Sequence, residues 1–137
     1  MSLYEYIIRV EKTHRKRIAL EQEEKELVTP LISDRTKIRE IYGIYTDEAV
    51  RAGIKPNSSD GRRIFIFIII RLFCPDAFSG RRLRRGVRNQ LAAVLRCEGS
   101  IVSHDFKNIT FYYKRYRPFR DTVNEIYDAI METLSEN

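Results

Sequence analysis

The stretch Arg62–Cys74, RRIFIFIIIRLFC, decides the fold, because it contains the longest apolar run of the chain. Its alternation of Ile and Phe suits a β-strand as well as a buried helix. A lone strand cannot satisfy its backbone hydrogen-bonding groups, and the other β-prone stretch, Ile109–Tyr113, sits inside a longer helical pattern. Residues 62–74 are therefore predicted to form a central helix that is apolar on most sides.

After this stretch, turn-forming residues separate the next helices. Cys74-Pro75-Asp76 is predicted to end the central helix, and Ser79-Gly80 to form a turn. Leu83–Leu95 then carries apolar residues at spacings of three and four, and Cys97-Glu98-Gly99 makes a tight turn. This pattern predicts two helices joined by a short connection.

The helix that Ser100 is predicted to cap has two separate stripes. Its apolar stripe, expected to be buried, consists of Val102, Phe106, Ile109, Tyr113 and Tyr116. Its polar stripe consists of Ser103, Lys107, Thr110, Lys114 and Arg117. Pro118 breaks the run, and a closing amphipathic helix with an acidic exposed side is predicted to follow.

On the amino-terminal side, a helix is predicted from Leu3, polar around most of its middle, which Pro30 ends or bends. Ser33 or Asp34 is predicted to cap a second helix, and Thr46-Asp47 to begin a short third one. The fold class is all-α: a compact multi-helix domain over residues 1–137. The loop 55–61 is the candidate boundary between N-terminal helices, 1–54, and a basic helical unit, 62–137.

The basic charge is concentrated in the middle of the chain. Residues 61–120 hold 14 Lys and Arg against three Asp and Glu, whereas residues 1–60 hold 11 of each. The last seventeen residues hold five acids and no base. Clustered cations release counterions when they bind phosphates, so this distribution points to nucleic acid.

The predicted nucleic-acid contacts form two groups. The first, which neutralises phosphates, is Arg81, Arg82, Arg84, Arg85 and Arg88. The second, which faces base edges or backbone, is Ser103, Lys107, Thr110 and Lys114, and Arg117 of the same polar stripe is a further nucleic-acid-binding candidate. Phe111 and Tyr112 fall off the apolar stripe and are candidates for stacking on bases.

Residues 83–117 resemble a helix-turn-helix, in which the second helix enters the major groove of DNA. The resemblance rests on the predicted helix, the short turn and the Ser/Lys/Thr face of the following helix. If Ala92 is the small residue of the first helix, the usual turn glycine falls at Arg96, whereas the glycine here is Gly99. The helix-turn-helix resemblance implies that the ligand is DNA.

Four segments together look similar to small uncharacterised helical proteins of Bacteroidetes and their mobile elements. The segments are LYEYI at 3–7, KIREIY at 37–42, DGRR at 60–63 and YKRYRPFRDTVNEIY at 113–127. The resemblance implies a helical fold and a phage or conjugative context, and it implies no activity.

The rival interpretation is a helical protein-interaction or oligomerisation module with no nucleic-acid ligand. In it the first helix pairs with another subunit and the basic face meets an acidic partner, or the acidic tail neutralises the arginines. A solvated helix face is the ordinary role of such charge runs.

No motif indicates an enzyme, a cofactor or a small-molecule substrate. His104 and Asp105 are adjacent, so on a helix they point about 100° apart and cannot act as a base and its orienting partner. Cys74 and Cys97 lack the spacing of a zinc site and read as thiols in a reducing compartment. The amino terminus lacks the pattern of a signal peptide, and the apolar run is too short to span a membrane, so a soluble, cytoplasmic protein is expected.

Overall fold

A computed structural model describes residues 1–136, which contain six α-helices, one 3₁₀ helix and no strand. The α-helices are α1 (Leu3–Leu27), α2 (Lys37–Arg51), α3 (Ser59–Phe73), α4 (Arg85–Leu95), α5 (Gly99–Arg115) and α6 (Arg117–Ser135). The 3₁₀ helix, Pro75–Ser79, lies between α3 and α4. The predicted all-α class is confirmed.

The central apolar stretch is the helix α3, as predicted. The Ser58 hydroxyl caps it by accepting a hydrogen bond from the Gly61 N–H at 3.0 Å. Nine of its fifteen residues are buried. Its apolar side chains are covered on most sides, which a strand with no partner could not achieve while satisfying its own backbone.

The second helix is longer than predicted. α2 continues unbroken to Arg51, so the short third helix expected from Thr46 is wrong. The Thr46 hydroxyl donates to the Gly43 carbonyl inside the helix instead of capping a new one. The buried residues Ile38, Ile41, Tyr45 and Ala49 follow at spacings of three and four through this region, and their continuous burial keeps the helix intact.

One core is built from α2 to α6. α5 packs against α3, α4 and α6, and α2 packs against α3, α4 and α6. The Tyr45 hydroxyl donates to the Gly61 carbonyl, which ties α2 to the start of α3. Full burial of one Ile or Phe side chain contributes about 1.5–3 kcal/mol, so α3 is the chief source of apolar stabilisation.

The first helix stands apart from this core. α1 ends at Leu27, three residues before Pro30, and contains no buried residue. The chain rejoins the domain where the N–H groups of Leu31 and Ile32 both donate to the Leu72 carbonyl at the end of α3. Across residues 1–136, no helix has both the length and the apolar character needed to cross a membrane.

Candidate nucleic-acid interface

The arginine segment, Arg81–Arg88, leads from the 3₁₀ helix into α4. Arg81 and Arg82 precede the helix, Arg84 is its N-cap and Arg85 its first residue, so α4 begins two residues later than predicted. Arg81, Arg82, Arg84 and Arg85 are exposed. A run of cations at the start of a helix opposes the helix dipole, so it does not serve the stability of α4.

Arg84 has a partner within the fold. Its Nη2 lies 3.4 Å from Oδ2 of Asp76 in the 3₁₀ helix. The Arg84 side chain remains 55% exposed, and an ion pair with that much solvent contact contributes little to stability. The pair therefore orients the arginine segment without removing it from solvent.

Arg88 differs from the other arginines because it is half-buried between α4 and α5. A β-carbon added at Gly99 would lie 3.4 Å from the Arg88 Nε, which shows that the guanidinium stem crosses to the first turn of α5. Arg88 thus positions α5 against α4. Its role as a freely exposed phosphate contact is reduced by this packing.

The connection between α4 and α5 contains three residues, Arg96, Cys97 and Glu98. Arg96 adopts a left-handed backbone conformation, with φ 54° and ψ 48°. This is the position at which the helix-turn-helix resemblance expects glycine, so an arginine here takes the conformation that glycine usually supplies.

The polar stripe of α5 lies mainly in solvent. Lys107 and Lys114 are exposed, whereas Ser103 and Thr110 are half-buried beside them. Arg117 is not on this helix: it begins α6, and its Nε lies 3.9 Å from Oδ2 of Asp121 in an exposed pair. The four α5 residues form one band off the buried face, and Arg117 lies beyond its end.

The opposite face of α5 carries a buried charge that sequence reasoning missed. Asp105 is 2% exposed and lies on the face of Val102 and Ile109. The Arg62 Nε donates to its Oδ2 at 2.5 Å, and the Arg63 Nε lies 3.8 Å from its Oδ1. The spacing of 105 from 102 and 109 was the available signal, because three and four residues bring side chains to one helix face.

This carboxylate joins the start of α3 to α5. The hydrogen bond to Asp105 raises the pKa of the Arg62 guanidinium, and burial raises the pKa of the nearby Cys97 thiol. Both arginines belong to the basic region, yet they are engaged inside the fold. They position the helix that carries Lys107 and Lys114.

Aromatic side chains surround a cavity of about 340 Å³ at the junction of α5 and α6. Tyr112, Tyr116, Phe119 and Arg63 line it, and the Arg63 guanidinium carbon lies 5.4 Å from the Tyr112 ring centroid. Tyr116 is 53% exposed, so the prediction that it is buried is wrong. It lies at the C-terminal end of α5, where the chain turns into α6 and its side chain leaves the core.

Phe111, next to Tyr112 in α5, is also an exposed ring. It is 52% exposed, and the Arg115 guanidinium lies over it at 5.3 Å from the ring centroid. Phe111 and Tyr112 thus each have an arginine guanidinium over the ring, which is a cation–π contact. Aromatic rings and arginines also occur together where proteins bind single-stranded nucleic acid.

Acids from α1, and not from the C-terminal tail, lie next to the arginine segment. Glu21 and Glu24 line a cleft together with Asp76, Arg81 and Arg84. In residues 1–136 no carboxylate of α6 forms an ion pair with the arginine segment. Neutralisation of the arginines by the tail therefore has no support in the fold.

Metal chemistry has no assembled site in the described part of the chain, where no three His, Cys, Asp or Glu side chains group together. His104 is exposed. Comparison with protein-family models, curated proteins and solved structures finds no match to this chain.

Proposed function

We propose that the protein binds nucleic acid, in the first place duplex DNA, through the exposed cations of the arginine segment that leads into α4 and those on the outer surface of α5. One observation carries the proposal. Arg81, Arg82, Arg85, Lys107 and Lys114 are all exposed, and none of them has an ion-pair partner within residues 1–136. Unpaired cations are free to replace the counterions of a phosphate backbone.

In this proposal one group of residues binds phosphates and another contacts base edges. The arginine segment binds phosphates, with Arg84 and Arg117 exchanging their weak carboxylate pairs for phosphate oxygens. On α5, Lys107 and Lys114 alternate with Ser103 and Thr110, whose hydroxyls both donate and accept hydrogen bonds at base edges. Arg88 is assigned to positioning α5.

The first experiment measures the binding of unrelated DNA duplexes by fluorescence anisotropy at several salt concentrations. The logarithm of affinity is expected to fall linearly with the logarithm of salt, with a slope of about −0.9 for each phosphate contact. If the five exposed, unpaired cations engage, the slope is about −4.5, and it reaches about −6.3 if Arg84 and Arg117 also exchange their carboxylates for phosphates. An absence of binding at low salt contradicts the proposal.

A matched pair of variants locates the surface. Lys107→Ala with Lys114→Ala removes two exposed cations from α5, whereas Lys37→Ala with Lys55→Ala removes two exposed cations outside it. Only the first pair is expected to weaken binding and lower the salt slope by about 2. Both are expected to leave the melting midpoint nearly unchanged, since surface substitutions stay within about 0.5 kcal/mol. Equal weakening by both pairs would mean that binding follows net charge alone.

A protein-interaction module without a nucleic-acid ligand is the second candidate. The specific observation in its favour is that α1 has no buried residue and exposes large apolar side chains. The same titrations separate the two candidates, because this one expects no DNA binding at any salt concentration.

A further inference from the structure

The first helix has no packing partner over most of its length, and only its C-terminal part lies near the domain, where Glu21 and Glu24 line a cleft with Arg81 and Arg84. α1 has 25 residues, which corresponds to about 37 Å, and none is buried in the described chain. A Ser2 and Glu5 capping box starts it, with Ser2 Oγ accepting from the Glu5 N–H at 3.1 Å. Capping fixes where a helix begins, but most helical stability in proteins comes from packing of an apolar face. The fold of this chain does not supply that packing.

The exposed apolar residues of α1 include Tyr4, Ile7 and Ile18, and the other five lie along one seam. At heptad-like spacing of three and four they are Leu3, Tyr6, Val10, Leu20 and Leu27, each at least 50% exposed. Thr13, Arg17 and Glu24 occupy the remaining positions of the same seam. Such a seam is typical of a helix that pairs with another helix.

The charges of α1 are separated into two blocks. Residues 9–17 hold five Lys and Arg and one Glu, and residues 18–26 hold four Glu and one Lys. Ion pairs between side chains four residues apart on α1 do not explain this order, because such pairs stabilise a helix more when Glu precedes Lys. Within α1 the ion pair is Arg17 Nε to Glu21 Oε1, at 3.6 Å and well exposed.

Most of these charges form no ion pair within residues 1–136, although Glu21 and Glu24 line a cleft near Arg81 and Arg84. Over residues 1–136, the carboxylates of Glu23, Glu24 and Glu26 have no ion-pair partner, and neither have Lys12 and Lys16. Two blocks of opposite sign on one helix are complementary to a copy of that helix running the other way. A parallel copy would place like charges opposite each other.

We infer that two copies of this chain associate through an antiparallel pair of α1 helices, with the two-fold axis near residues 18 and 19. In this register residues 9–17 of each copy face residues 20–28 of the other, so that each basic block meets an acidic block. Val10 comes opposite Leu27 along the apolar seam.

The charge blocks also favour this register over another one that pairs apolar residues. An alternative antiparallel register with Val10 opposite Leu20 would place residues 13–17 of the two copies against each other. That segment contains Arg15, Lys16 and Arg17, so the repulsion would disfavour it. The charges therefore select one of the two registers that the apolar seam allows.

The test uses the full chain without nucleic acid, so its outcome is independent of the proposed DNA binding. Light scattering is expected to give twice the chain mass of 16.3 kDa, with a dissociation constant that rises with salt. A basic-block variant, Arg15→Glu with Lys16→Glu and Arg17→Glu, is expected to be monomeric at concentrations where the unmodified chain is dimeric. An acidic-block variant, Glu21→Lys with Glu23→Lys and Glu24→Lys, is expected to behave the same way.

Mixing the two variants is expected to restore the dimer, because each altered block then meets a block of opposite sign. A structural defect in either variant would not be rescued by mixing. The melting midpoint of each variant is expected to stay near that of the unmodified chain at low protein concentration, since α1 adds no residue to the core. A monomer at all concentrations overturns the inference.

Disulfide trapping determines the direction of the pair. A mixture of Val10→Cys chains with Leu27→Cys chains is expected to form mixed disulfide dimers, whereas Val10→Cys alone forms none above the level of the unmodified chain. Efficient self-linking of Val10→Cys would show a parallel pair and overturn the register. Binding of a monomeric chain to anionic lipid vesicles would assign α1 to a membrane surface instead, and would overturn the inference as well.

Discussion

The two helices α1 and α3 differ in what makes them helical. α3 buries nine of fifteen residues, whereas α1, although ten residues longer, buries none. α3 consists largely of β-branched and aromatic residues, which have lower helix propensity than Ala or Leu, and packing on most sides maintains it. α1 is rich in Glu, Lys, Arg and Leu, which favour the helix without packing. Local preference and tertiary packing can each specify a helix, and this chain uses them in different places.

The largest expected effect comes from a cavity in α3. Phe65→Ala, at a position that is 0% exposed, is expected to lower the free energy of unfolding by about 3–5 kcal/mol. Tyr4→Ala, at a 75% exposed position of α1, removes a side chain of similar size and is expected to change it by less than about 0.5 kcal/mol. Urea unfolding followed by circular dichroism measures both. Similar losses from the two substitutions would show that α1 packs on the core.

A smaller loss is expected where a charge and not an apolar group is buried. Asp105→Ala leaves the half-buried guanidinium groups of Arg62 and Arg63 without their carboxylate. Removing one partner of a buried pair costs about 3–5 kcal/mol, and the partial exposure of both arginines reduces this to about 2–3 kcal/mol.

Two measurements, the free energy of unfolding and DNA affinity, separate the role of Asp105 from that of the exposed surface. Asp121→Ala, which breaks the exposed pair with Arg117, is the control and is expected to have almost no effect on stability. If α5 is positioned through Asp105, Asp105→Ala also weakens DNA binding, although Asp105 itself lies away from solvent. Unchanged stability would mean that the buried ion pair does not hold α3 and α5 together.

The fold could be predicted from the sequence where apolar spacing is regular. The helical state of residues 62–74 and the buried positions of α5 at Val102 and Ile109 follow from periodicity. The sequence did not predict that α2 continues unbroken, because Thr46 is a good N-cap residue. Its hydrogen bond to the Gly43 carbonyl forms only once the helix is present.

The candidate site could be predicted only in part. The exposure of Arg81, Arg82, Arg85, Lys107 and Lys114 agrees with the expected polar surface, because charged residues at these positions avoid burial. The spacing of Asp105 from Val102 and Ile109 indicates the buried face of α5, but it does not show that Arg62, 43 residues away, meets the carboxylate there. DNA as the ligand stays a prediction.

The smallest expected effects come from replacing two glycines by alanine. At one of them packing determines the change in stability, and at the other local helix preference determines it. Gly61 is buried at the start of α3, and a β-carbon there would lie 2.7 Å from the Pro56 carbonyl oxygen, so Gly61→Ala is expected to destabilise by about 1–3 kcal/mol. Gly43 is exposed within α2 and has open space around it, so Gly43→Ala is expected to stabilise by about 0.5–1 kcal/mol. Melting midpoints of the two variants should therefore move in opposite directions. If Gly61→Ala were also stabilising, the backbone of residues 55–56 would not approach α3 as closely as the fold requires, and local preference would govern both sites.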